Sequence, residues 1–127
     1  MRRVLLILAG LNGLAAVVLG AAAQHLWAAD SGARALVETG VRYGLPHAAV
    51  SVALAAFPAQ GSVLGRRLHA GAGLSLAVGT TLFCGGLYAL AAGIGGAVAR
   101  LVPVGGSLMI LGWVLLLGWA AVSARRI

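Results

Sequence analysis

The run from Leu68 to Ala92, LHAGAGLSLAVGTTLFCGGLYALAA, holds no arginine, lysine, aspartate or glutamate in 25 residues. A helix rises 1.5 Å per residue, so about 20 residues cross a hydrocarbon core of about 30 Å, and this stretch is long enough to span a bilayer. Working outward, the charged residues cut the rest of the chain into further such blocks: Val4 to Gln24, Leu45 to Gly65 and Leu101 to Ala124. With no water inside the membrane, each block must satisfy its own peptide groups, which a helix does within one segment. The prediction is an all-α integral membrane four-helix transmembrane bundle. It forms a single domain over residues 1–127, with helices at about 4–24, 45–65, 68–92 and 101–124.

Composition supports the same solvent. The chain of 127 residues is 61% hydrophobic and 9% charged, with mean hydropathy +1.04. Soluble domains are about 45–50% apolar and about 25% charged. Cys84 is the single cysteine, which excludes a disulfide scaffold, and Asp30 and Glu38 are the only carboxylate side chains. The net charge of +7 does not indicate nucleic acid. That partner wants a contiguous basic patch with stacking aromatics, whereas these arginines stand at the ends of apolar runs.

The arginines also set an orientation. With four spans, Arg2, Arg3, Arg66, Arg67, Arg125 and Arg126 share one side, and Arg34, Arg42 and Arg100 the other. The positive-inside bias then puts both termini in the cytoplasm of a multi-pass protein of a bacterial-type inner (plasma) membrane. The paired arginines can snorkel toward anionic phospholipid head groups of that leaflet. Arg2 and Arg3 followed by an apolar run and Ala21-Ala22-Ala23 also resemble a cleavable signal, but the run exceeds the usual h-region of about 7–15 residues, so a retained helix is expected.

Residues 31–44 are too polar to span. Arg34, Glu38 and Arg42 stand four apart, with Ala33, Leu36, Val37, Val41 and Leu45 on the opposite stripe. This predicts a short interfacial amphipathic helix between helices 1 and 2, capped by Asp30 or Ser31 and bracketed by Trp27 and Tyr43 at head-group level. Pro46 suits the first turn of helix 2, and Pro58 is expected to kink it. The pairs Ala9/Gly13 and Ala16/Gly20, and the series Gly71, Ser75, Gly79, offer smooth stripes for close packing in lipid. Asn12 should hydrogen-bond a neighbouring helix, and Thr80 and Thr81 should bond back to carbonyls one turn earlier. Trp113, midway along helix 4, needs an acceptor, with Asn12 or a helix 3 threonine the candidates.

The run Gly79-Thr80-Thr81-Leu82-Phe83-Cys84 with Leu87-Tyr88, then Pro103-Val104-Gly105-Gly106 and Leu111-Gly112-Trp113, resembles the small four-helix membrane proteins of the YgdD type. These form a domain-of-unknown-function family whose animal member is called transmembrane protein 256. The family's Gly-Ala-His-Gly motif at the end of helix 1 has its counterpart in Ala23-Gln24-His25-Leu26. Its aromatic or histidine, then two residues, then a histidine entering helix 2 has its counterpart in Tyr43-Gly44-Leu45-Pro46-His47. The resemblance implies an integral membrane protein of four helices and brings no established activity.

Reactive potential is confined to histidines. His25 and His47 fall near the outer interface, where they can meet, and His69 falls on the cytoplasmic side. A facing imidazole pair could ligate haem iron, bind a metal or relay a proton, or simply bond carbonyls and lipid phosphates. The candidate cofactor-binding residues are therefore His25, His47 and Tyr43. No metal site is expected, because a structural zinc wants four ligands, and Cys84 reads as a packing residue. No acid and base pair, activated nucleophile or phosphate loop is present, so catalysis is not expected. The expected role is an accessory, scaffolding or assembly subunit working through a membrane-protein partner or self-association, with no resident cofactor. The alternative is a binder or conductor of a small hydrophobic ligand such as lipid, quinone or haem, or of an ion.

Overall fold

The computed structural model describes residues 1–124, which fold into four helices with no strand among the described residues. They are α1 (Arg2–Leu26), α2 (Ser31–Ala56), α3 (Val63–Ala91) and α4 (Ala97–Ala124). Arg125 and Arg126, counted above in the orientation, lie outside the described residues. Three of the helices, α1, α3 and α4, are long and apolar enough to cross a membrane. The fourth, α2, has its hydropathy lowered by Arg34, Glu38 and Arg42 in its first half.

Two boundaries differ from the expectation. The amphipathic stretch 31–44 is helical, but it runs without a break into the apolar stretch after it, so α2 is one helix of 26 residues with Pro46 inside. A proline in a helix interior leaves the carbonyl four residues earlier without its usual donor, and in lipid neighbouring side chains compensate for such losses. Here the His47 ring lies against the same turn, with Nδ1 2.7 Å from the Tyr43 carbonyl oxygen. The second difference is at Pro58, which ends the helix instead of kinking it. The residue before a proline is pushed out of the α region, and Phe57, at φ −110° and ψ 79°, closes α2. The chain turns at Gly61, whose φ of 96° favours glycine. The Ser62 hydroxyl then accepts from the Gly65 N–H at 3.1 Å to start α3. Arg66 and Arg67 consequently stand in the first turns of α3 rather than in a loop.

Asp30 caps α2 as expected, its Oδ1 accepting from the Ala33 N–H at 2.9 Å. The charge ladder closes one ion pair among the described residues, Arg34 to Glu38 at 3.8 Å. The opposite stripe turns inward: Val37 is fully buried, and with Ala23, Ala33 and Ala91 it forms a core cluster at this end.

The small residues decide how the rods meet. Along α1, Gly13 faces Ala48, Ala16 faces Gly44 and Gly20 faces Val41, an antiparallel seam with α2. Between α3 and α4 the backbones nearly touch, because a Cβ built on Gly79 would lie 2.8 Å from the Met109 nitrogen and one on Gly105 would overlap the backbone of Phe83. Gly71 likewise faces Leu115, so that stripe serves α4. Helices α1, α2 and α3 all touch one another, whereas α4 packs its backbone on α3 only.

Candidate groove between α2 and α4

Because α4 leans on α3 without reaching the α2 backbone, a groove remains between α2 and α4 with α3 as its floor. Its volume is about 290 Å³, and Tyr43, His47, Phe83, Met109, Ile110 and Trp113 line it. One polar bridge crosses it: the Trp113 indole N–H donates to His47 Nε2 at 3.0 Å. An acceptor at Nε2 places the imidazole proton on Nδ1, which donates to the Tyr43 carbonyl at 2.7 Å. His47 is thus held as the neutral Nδ1–H tautomer with both nitrogens engaged. The Trp113 ring stands edge-on to it, centroids 5.8 Å apart, and Tyr43 meets Phe83 edge-on at 5.2 Å. These are favoured aromatic geometries and fix the groove walls. Its lining is apolar apart from ring edges, suited to an acyl chain or a flat aromatic ring. An iron or metal ion would need the Nε2 lone pair and would have to displace Trp113.

The structure brings two of the three candidate residues together and separates the third. His25 is exposed in the last turn of α1. His47 lies level with Gly13, the neighbour of Ala48, twelve residues before His25 in α1. That is about 18 Å of helix, so His25 and His47 do not meet. The sequence pattern starts helix 2 at Leu45, which places His47 at a helix end beside His25. Starting α2 at Ser31 moves His47 to its interior. Tyr43 moves with it, away from head-group level.

Trp113 also takes a different partner from those expected. Asn12 bonds elsewhere, its Nδ2 donating to Thr81 Oγ1 at 3.0 Å and lying 3.5 Å from the Ala77 carbonyl. Thr80 and Thr81 bond back to the Leu76 and Ala77 carbonyls at 2.7 and 2.9 Å, as their positions predict. Trp27 ties the end of α1 to the Ala91 carbonyl at 2.9 Å. Cys84 is buried and free. Phe83 and Met109 were not legible as lining residues, although the indole of Trp113 at midspan was the signal that a polar partner had to be near. Among the described residues no three of His, Cys, Asp or Glu gather into a metal-binding group. His69 is remote from the groove, buried near the start of α3 with its ring edge-on to Trp119 at 4.9 Å.

Residues 19–106 match the family described as Protein of unknown function (DUF423). A "UPF0382 membrane protein" of Haemophilus influenzae is 35% identical over 123 residues, covering 91% of this chain and 92% of that protein. The "UPF0382 inner membrane protein YgdD" of Escherichia coli K12 is 33% identical over 129 residues, covering 98% of this chain and 94% of that protein. The protein of the same name in Shigella flexneri matches equally. No solved structure matches the chain significantly.

Proposed function

The chain belongs to the DUF423 family, and from that premise we propose that it is a multi-pass inner-membrane protein that acts through contacts. It serves as an accessory, scaffolding or assembly subunit of a membrane complex, or as a homo-oligomer, without catalysis or a cofactor of its own. The observation that carries this reading is the distribution of polar and apolar groups within the spans. Asn12, His47 and Thr80, which are buried, and Thr81 and Trp113, which are not, bond to groups of the same chain. Outside, Ile7, Leu11 and Leu14 on α1 and Ile110, Val114 and Leu117 on α4 are exposed. Helices in lipid associate by shape and close packing, so such faces serve lipid or a protein partner equally well. Among the described residues, Arg2, Arg3, Arg66 and Arg67 at one side of the four-helix layout support cytoplasmic termini. Extraction into a mild detergent followed by cross-linking tests the role. Co-purifying membrane protein or a defined homo-oligomer is expected, and a strictly monomeric, partner-free particle would overturn it.

A second reading rests on the groove. Tyr43, His47, Phe83 and Trp113 make a laterally open aromatic slot at midspan, suited to a quinone ring or a lipid chain. The existing bond from Trp113 to His47 favours those over haem. Mass analysis of extracted lipids and an absorption spectrum of the purified protein test it: a quinone or one enriched lipid is expected, and a colourless preparation with bulk lipid composition would remove it.

A further inference from the structure

Because α2 runs unbroken from Ser31, Arg42 is carried down the bundle instead of lying at its end. Its neighbour Val41 sits 3.4 Å from a Cβ built on Gly20, and Gly20 stands six residues before the end of α1 at Leu26, about 9 Å of rise. Arg42 is thus level with the uncharged run of α1 that ends at Gln24, and it is exposed on the outer face of α2. Ionisable side chains at such a depth are rare and almost always paired. Among the described residues the one ion pair is Arg34 to Glu38 at 3.8 Å, so the carboxylate one turn from Arg42 faces the other arginine. A second guanidinium reaches the same height. Gly86 of α3 is flanked by Val98 and Val102 of α4, which sets Arg100 level with it, while Tyr88 and Cys84, two residues to either side of Gly86, face Gly40 and Gly44 of α2. Arg42 and Arg100 therefore stand level on the two helices that wall the groove, both exposed. At about 100° per residue, Arg42 lies about 100° round α2 from Tyr43 and Arg100 about 80° round α4 from Ile110. From that height the groove descends past Tyr43 and Phe83 to His47 and Trp113 near midspan.

We propose that the groove binds one anionic phospholipid, its phosphate held between Arg42 and Arg100 and one acyl chain lying along Tyr43, Phe83, Ile110 and Trp113. This rests on the groove reading and names its occupant. His47 and Trp113 engage each other, so the groove itself asks for hydrocarbon. The demand for an anion comes from the two arginines at its upper end, whose long side chains can swing toward head-group level over its mouth. A phospholipid has that order of parts: charge above, chain below.

The test uses the full chain in mild detergent, probed with phosphatidylglycerol and phosphatidylcholine by native mass spectrometry. Wild type should retain the anionic lipid about tenfold more than the zwitterionic one, the scale of one charge-assisted hydrogen bond. Arg42→Gln and Arg100→Gln should each lower that preference severalfold, and the double variant should erase it. Arg3→Gln, which removes the same charge at the far end of α1, should leave it nearly unchanged. Gly106→Leu fills the groove beside Phe83, whose ring lies 3.6 Å from a Cβ built there, and should release both lipids. Release of both lipids by Gly106→Leu, with the two groove-side arginine variants acting no more than Arg3→Gln, would leave a chain in the groove and overturn the head-group assignment. A folded Gly106→Leu that retains both lipids as wild type does would remove the groove reading and this one together. The arginine comparison decides the assignment even where Gly106→Leu does not fold, and equal retention of the two lipids by wild type would overturn it outright.

Discussion

Trp113 sits halfway along α4, where an indole N–H meets hydrocarbon unless a neighbour offers an acceptor, and His47 offers one across the groove. Interhelical bonds of this kind in membranes contribute about 0.6 kcal/mol on average and about 1.7 at most. Trp113→Phe should therefore destabilise the bundle by about that much while keeping the aromatic wall. Asn12→Leu should cost a similar about 0.6 kcal/mol by removing the tie from α1 to Thr81. The two bonds share no partner, so the losses should add in the double variant. Denaturant unfolding in mixed micelles measures all three, and a double variant much less stable than the sum would show that α2–α4 and α1–α3 are coupled through the core. Both tryptophan and asparagine announce a need for a partner in the sequence. Neither names the partner, because that depends on helix rotation and register.

At the level of elements, the α3–α4 contact depends on backbone against backbone. A methyl on Gly105 would overlap the Phe83 backbone and lie 2.7 Å from the Gly79 oxygen, and no rotamer change relieves a clash with main chain. Gly105→Ala should cost about 1–3 kcal/mol or more by forcing α4 off α3. Gly85→Ala, with nothing within 4 Å of the new methyl, is the matched control. It should be neutral or gain up to about 1 kcal/mol from helix propensity. Equal effects of the two would mean that α4 is not seated as described. The stripe Gly71, Ser75, Gly79 was readable as an interface, and α4 proved to be the helix it serves. Helix α2 was the harder element. Its polar first half and apolar second half read as two pieces, since charge pattern and the prolines were the available boundaries. Tertiary packing of Ala33, Val37, Gly40 and Gly44 against the neighbouring helices makes one rod of them.

For the whole molecule, the charge distribution gives the layout a testable direction. Single cysteines placed at Gly61 and at Ile94, with native Cys84 buried, should label differently in intact cells. A membrane-impermeant thiol reagent should reach position 94, in the α3–α4 turn, and miss position 61, in the α2–α3 loop. The reverse pattern would invert the orientation, and labelling of both from outside would contradict a single crossing by α3. What the sequence determined alone was the solvent and the helical class: long uncharged blocks satisfy their backbone in hydrocarbon as helices, and no tertiary information is needed to see it. The small-residue seams and the back-bonding threonines were local enough to be read as well. Only the tertiary structure decided which faces meet. It parted His25 from His47 and set His47 against Trp113. Between equally apolar surfaces the relative turn and slide of each rod follows from where glycines let backbones close, a matter of shape that residue types along a line do not encode.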